Sequence, residues 1–284
     1  MAICSVLLNA IDVVAEADFF ERYLDAASIE VSEDRAVLDV GTALVEINRV
    51  GGERVGEAPF GEDRVDEGKQ STWIPDDIQA GPRHIGFKVS DLDERVRKLQ
   101  EDGVQFHLEP IDAAGEVRIT FFYSPSGVLV EMVEGALQYH WVADQSEVDA
   151  DWGLGTPTRP RFDHVAETVQ SFDTSGAFHA GHGFKLMGGI HQSADPRGFE
   201  IAYLHGDDTT LELFEFRKVE LQTREPQWDA PGFVAAVFDS GEPEGDPVAV
   251  VAGRPLFSDP DGLLFATGPL PTAASEPNCA SEPN

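Results

Sequence analysis

Apolar and polar positions alternate and then break into helical spacing in a pattern that recurs along the chain. From His84 the run HIGFKVSD alternates like a strand, and LDERVRKLQEDG over 92–103 then spaces Leu92, Val96 and Leu99 like one face of a helix that stops at a glycine. Strands are predicted at 104–108 and 117–123, followed by a turn at Ser124-Pro-Ser-Gly127 and a last strand over 128–133. This is a β-α-β-β-β unit. A second copy starts at Ser5, with a helix predicted over 13–24 (VVAEADFFERYL) and strands over 36–39 and 43–48. A third starts at His164, with a helix-like or turn-rich stretch running to His182, Gly183-Phe-Lys-Leu186 after it, and strands over 199–204 and 210–216. A fourth starts at Gly232 and closes with the turn Ser258-Asp-Pro-Asp-Gly262 and a strand over 263–267. The turn sets its register against the second copy, and the short span between Asp239 and Phe257 predicts that its helix has been lost.

The expected fold class is therefore α+β, with four modules and a degenerate fourth. The expected division is an N-terminal domain over 1–135, a linker over 136–160, a C-terminal domain over 161–270 and a disordered tail over 271–284 that repeats Ala-Ser-Glu-Pro-Asn. The acidic stretch from Gly51 to Pro82 reads as a lid or a plain linker. Trp141 and Trp152 are expected to pack on a domain.

Composition changes this picture in one respect. Fifty-two acidic residues against 20 basic ones give a formal charge of −32, while 42% apolar residues leave enough for a core. Such a charge argues against nucleic acid and against an anionic membrane surface. Only five of the basic residues are Lys, a balance that resembles proteins of salt-accumulating halophiles. Cys4 and Cys279 provide no disulfide framework, and no signal peptide or membrane span is read, so the expected location is the cytoplasm.

Paired β-α-β-β-β modules, a first strand opening with His, a Ser/Asp-Pro-x-Gly turn and a last strand bearing Glu together resemble the vicinal oxygen chelate superfamily. It includes glyoxalase I, extradiol dioxygenases and fosfomycin- and bleomycin-resistance proteins. The resemblance covers about residues 3–268 and implies open mixed-sheet barrels, each made by two modules around a divalent metal such as Zn, Ni, Mn or Fe. It implies ligands at the first-strand and last-strand positions of each module: Ser5 and Glu46, His84 and Glu131, His164 and Glu212, and finally Gly232 and Ala266.

The candidate metal ligands are accordingly His84, Glu131, His164, Glu212 and Glu46, with Glu131 or Glu212 also the catalytic base. Sequential pairing would put Glu46, His84 and Glu131 in one barrel. Pairing of the inner copies would gather His84, Glu131, His164 and Glu212 in one and leave the outer barrel blank apart from Glu46. His179, His182 and His191 read as loop residues, with His182 placed to line the mouth, and Glu215 as a rim residue. Arg83, Arg118 and Arg161 are candidates for recognising an anionic substrate or for ion pairs.

The implied activity is a glyoxalase-type lyase or isomerase acting on a small molecule with vicinal oxygens. The alternatives are an Fe(II) extradiol-type dioxygenase and a metal-free small-molecule binding or resistance protein. The expected state is a monomer or a homodimer. The acidic surface also predicts that dialysis from molar KCl into dilute buffer lowers the melting temperature, because self-repulsion grows as the Debye length lengthens. A melting curve unaffected by dialysis would contradict the halophile reading.

Overall fold

The computed structural model describes residues 2–50, 78–239, 241, 243 and 245–268. Most of the 51–82 connection and the expected tail lie outside these residues.

Module 1 comprises β1 (Ile3–Ala10), α1 (Val13–Leu24), β2 (Ala27–Val31), β3 (Arg35–Asp39) and β4 (Leu44–Arg49). The helix starts where Asp12 accepts from the Ala15 amide at 3.0 Å, and it buries Val13, Ala17, Phe20 and Leu24 along one stripe. Module 2 comprises β5 (Gly81–Val89), α2 (Leu92–Glu101), β6 (Phe106–Ala113), β7 (Val117–Tyr123) and β8 (Leu129–Glu134). Leu92, Val96 and Leu99 of α2 are buried, as their spacing predicts.

The connection over 136–160 is more than a linker, since it carries β9 (Trp141–Val142) and α3 (Gln145–Gly153). Trp141 is packed against the main core, and the Trp152 indole donates to the Leu137 carbonyl at 3.0 Å.

Module 3 comprises β10 (Arg161–Thr168), α4 (Phe172–Gly181), β11 (Lys185–His191), β12 (Phe199–Gly206) and β13 (Thr209–Phe216). Module 4 comprises β14 (Gly232–Phe238), β15 (Ala249–Val251), β16 (Arg254–Ser258) and β17 (Leu264–Thr267). Among the described residues no helix follows β14, in agreement with the shortened span.

Two mixed sheets result, neither closed into a barrel. The outer modules form one, in the order β15-β16-β17-β14-β1-β4-β3-β2. The inner modules and β9 form the other, in the order β6-β7-β8-β5-β10-β13-β12-β11-β9. Each sheet thus takes one module from either side of the 136–160 connection, so the sequence division at that point is not a division of the sheets. The seams are antiparallel pairs of first strands, β1 with β14 and β5 with β10.

One face of the inner sheet meets the helices in a core shared by the modules. Phe87 of β5 lies between Phe20 of α1 at 6.1 Å and Phe162 of β10 at 5.8 Å. The opposite face carries His84 and Gly86.

This interleaving predicts that residues 1–135 alone do not form a folded monomer. Without modules 3 and 4 both β1 and β5 lose a neighbour and expose an apolar strand edge. Size-exclusion chromatography with circular dichroism should find the fragment unfolded or self-associated, and native-like once co-expressed with residues 136–284. A folded monomeric 1–135 would contradict the account.

Candidate metal centre

The site lies on the β5–β10 seam. In this antiparallel pair His84 faces Ala166 and His164 faces Gly86, so each imidazole stands over the small residue two places along the other strand. A Cβ on Gly86 would come within 2.0 Å of the His164 ring. A glycine inside a strand marks such a close approach. The register slips at both ends of the seam, between Phe162 and His164 on β10 and opposite Arg83 on β5. The residue before each histidine is therefore the bulged one, and Asp163 and Arg83 both line the same cavity as the site.

The parallel neighbours β8 and β13 bring in the carboxylates, with Glu131 beside Gly86 and Glu212 beside Ala166. The two Nε2 atoms lie 3.1 Å apart. Glu131 Oε2 is 3.1 Å from His84 Nε2 and 2.9 Å from His164 Nε2, and Glu212 Oε2 is 3.8 and 3.7 Å from the same atoms. Ligands held about 2.0–2.2 Å from a single ion stand at such separations from one another. Two imidazole nitrogens aimed at each other across two carboxylates, three of the four residues buried and Glu212 partly so, suit a divalent cation of borderline softness.

The electrostatics are consistent with that. Burial opposes ionisation of Glu131, but hydrogen bonds with His164 and His84 outweigh it and hold its carboxyl down at about 2. Burial likewise disfavours charge on His164, yet Glu212, Asp163 and Glu131 raise its pKa well above the ordinary value. Asp163 Oδ2 is 3.0 Å from His164 Nδ1, which orients the ring and keeps Nε2 turned into the site.

Glu46, expected among the ligands, requires correction. It lies in the outer sheet, where it accepts from Ser5 Oγ at 2.7 Å and pairs with Arg254 at 3.2 Å and Arg35 at 3.4 Å. Breaking a buried pair such as Glu46–Arg254 costs about 3–5 kcal/mol, so the carboxylate is committed to its guanidinium partner. Arg254 is on a strand the sequence pattern left unmarked.

Other expectations divide similarly. Of the three arginines only Arg83 lines the cavity; its guanidinium sits over the Phe214 ring at 4.5 Å. Arg118 pairs with Asp93, Asp112 and Glu134, and Arg161 donates to the Gly155 carbonyl. His182 is buried against Phe178 and Phe265 and does not line this cavity. His179 is fully buried in α4 and is no loop residue.

The cavity beside these four side chains measures about 330 Å³, within the range of small-molecule sites. Its walls are chiefly apolar and aromatic, including Ile119, Phe121, Tyr139, Phe199, Tyr203 and Phe214.

The contact beneath His164 generates a test. Gly86→Ala should displace that ring and weaken binding of added Zn²⁺ or Co²⁺ by about tenfold or more, as loss of a supporting contact does. Gly176→Ala, in open space on α4, should leave affinity unchanged. Equal affinity in both variants, measured by chelator competition, would contradict the geometry.

Residues 2–132 match the model of the Glyoxalase/Bleomycin resistance protein/Dioxygenase superfamily. The fold is similar to that of glyoxalase I from Zea mays, with a TM-score of 0.58 at 16% identity, covering 94% of this chain and 91% of that one. A mutant of the maize enzyme gives a TM-score of 0.59 at 15% identity, covering 94% and 92%. Among curated proteins, the uncharacterized protein YwkD of Bacillus subtilis (strain 168) is 40% identical over 57 residues, which are 19% of this chain and 43% of that protein. The sequence match to that superfamily thus spans the first two modules, and over the rest of the chain the likeness to maize glyoxalase I is one of fold.

Proposed function

We propose that the protein is a divalent-metal-dependent enzyme of glyoxalase type, acting on a small substrate with vicinal oxygens by moving a proton between adjacent carbons. The observation that carries this reading is the convergence of His84, Glu131, His164 and Glu212 at the wall of an apolar cavity. The fold shared with maize glyoxalase I is consistent with it, although fold alone does not fix chemistry. A bound divalent ion would polarise the substrate oxygens and acidify the neighbouring C–H. His84, His164 and Glu131 would hold the ion, with Asp163 fixing the His164 ring.

The two carboxylates have different freedom. Glu131 is the more enclosed and lies within 3.1 Å of both imidazoles, whereas Glu212 stands farther back and is more exposed toward the cavity. Glu212 is therefore the residue we assign as base, taking the proton from one carbon and returning it to the next through Oε2. The aromatic walls would exclude water from the carbanionic stage and favour a substrate with an apolar substituent. Arg83 is placed to meet a negative group at the rim.

The presence of Glu212 beside the other three favours this chemistry over an extradiol-type dioxygenase, which requires only two histidines and one carboxylate and leaves the remaining positions open. A high-salt setting belongs to the same proposal and rests on the charge of −32.

The test uses the full-length protein loaded with Zn²⁺, Ni²⁺, Mn²⁺ or Fe²⁺. It is presented with hemithioacetals of methylglyoxal and phenylglyoxal formed with several thiols, in D₂O. NMR should show conversion to the 2-hydroxy thioester, with solvent deuterium at the new C–H in proportion to exchange. Glu212→Gln should lower kcat by about 10²–10⁴-fold, the usual worth of a general base. No turnover by any loaded form, or oxygen uptake with catechols instead, would overturn the reading.

A further inference from the structure

Behind the inner sheet, on the face away from the cavity, lies a second set of metal-ligating side chains. Glu167 of β10, His179 of α4 and Asp259 of the β16–β17 turn are all buried, and their ligand atoms lie within 4.8 Å of one another. His179 Nε2 is 2.9 Å from Glu167 Oε1 and 3.5 Å from Asp259 Oδ2. Asp259 Oδ1 is occupied by the amides of Asp261, Gly262 and Leu263 at 2.7–2.9 Å, which fixes the turn and leaves Oδ2 pointing at the histidine. Asp259 Oδ2, Glu167 Oε2 and His179 Nδ1 are buried without a hydrogen-bond partner.

The other half of the molecule shows what this joint requires structurally. The register sets Leu7 beside Glu46 and Ala166 beside Glu212, so Leu8 of β1 corresponds to Glu167. Helices α1 and α4 are capped at Asp12 and Ser171, so Phe20 corresponds to His179 and Glu16 to Ser175. The turns equate Ser124 with Asp259 and Ser126 with Asp261. In the first half Glu16 accepts from the Ser126 amide at 2.8 Å; in the second, Ser175 donates to Asp261 with acid and hydroxyl exchanged. The hinge between helix and turn is thus made in both halves. Yet the position beside it holds Leu8, Phe20 and Ser124 in one and Glu167, His179 and Asp259 in the other. The fold closes with an apolar pair there, so two carboxylates and an imidazole are not needed for packing.

We propose that Glu167, His179 and Asp259 form a second, buried divalent-metal site that ties module 3 to module 4, and hence the inner sheet to the outer. An ion of the Zn²⁺, Mn²⁺ or Fe²⁺ class suits one nitrogen and two carboxylate donors, and separations of about 3–3.5 Å are those of ligands on one centre. It would neutralise the two carboxylates, where charge without compensation is costly. The competing occupant is a proton: burial and Asp259 push the Glu167 carboxyl well above its usual range, and the neighbouring carboxylates raise His179 to about 9 against the effect of its burial. Enclosure of all three side chains means that the ion enters during folding and exchanges slowly.

The experiment is metal analysis of full-length protein produced with Co²⁺ and dialysed against EDTA, with the visible spectrum recorded. In His84→Ala/His164→Ala, which lacks both imidazoles of the cavity site, one Co²⁺ per chain should remain with d–d absorption. In Glu167→Leu/His179→Phe, which installs the residues of the first half, the content should fall by one ion relative to wild type. No Co²⁺ in the first variant, or unchanged content in the second, would overturn the proposal in favour of a protonated triad. A wild type holding no more Co²⁺ than His84→Ala/His164→Ala would instead count against the cavity site, so the two readings fail separately.

Discussion

The antiparallel pairing of β5 with β10 is the contact on which the candidate site depends. These strands come from opposite sides of the central connection, and their register alone decides that His84 stands over Ala166 and His164 over Gly86. A slip of one residue would turn the imidazole of the slipped strand into the apolar core that holds Phe87 and Phe162, away from the other imidazole. The parallel partners then deliver Glu131 and Glu212 to the same face, and the bulges before each histidine add Arg83 and Asp163. Core packing on one face thus enforces polar geometry on the other.

The outer sheet repeats this seam with different side chains. Ser5 occupies the position of His164 and, by the register of β14 on β1, Ala235 rather than the expected Gly232 occupies that of His84, while Glu46 is neutralised by Arg254 and Arg35. A carboxylate that keeps its place in the strand but acquires guanidinium partners becomes a structural ion pair. The internal two-fold has therefore been retained as architecture, with the cluster of His84, Glu131, His164 and Glu212 present in the inner sheet and, among the described residues, without a counterpart at the outer seam.

Much of this was legible in the sequence because it rests on periodicity and repetition. The stripe Val13, Ala17, Phe20 and Leu24 marks α1, the alternation over 117–123 marks β7, and nearly equal spacing from His84 to Glu131 and from His164 to Glu212 singles out the four residues that meet. What escaped depends on contacts between distant segments. Bulges at Asp163 and Arg83 carry no local signature, and the need for glycine at 86 arises only once β10 lies alongside. His179 sits among Gly, Ala and Ser, where the apolar stripe is weak, so its burial follows from packing against Phe184 and Phe238 and not from its neighbours in sequence. Strand β9 is only two residues long and helix α3 is polar, and pairing of β9 with β11 together with packing of α3 against β11 gives them their place.

The most direct measurement is a crystal structure of protein loaded with Zn²⁺, with anomalous difference maps on both sides of the zinc absorption edge. The account predicts a peak on the β5–β10 seam within about 2.0–2.2 Å of Nε2 of both His84 and His164 and of a carboxylate oxygen of Glu131, with the Glu212 carboxylate beside it toward the cavity. A fully loaded crystal with no peak on that seam, or with its metal bound at Glu46 in the outer sheet, would contradict it.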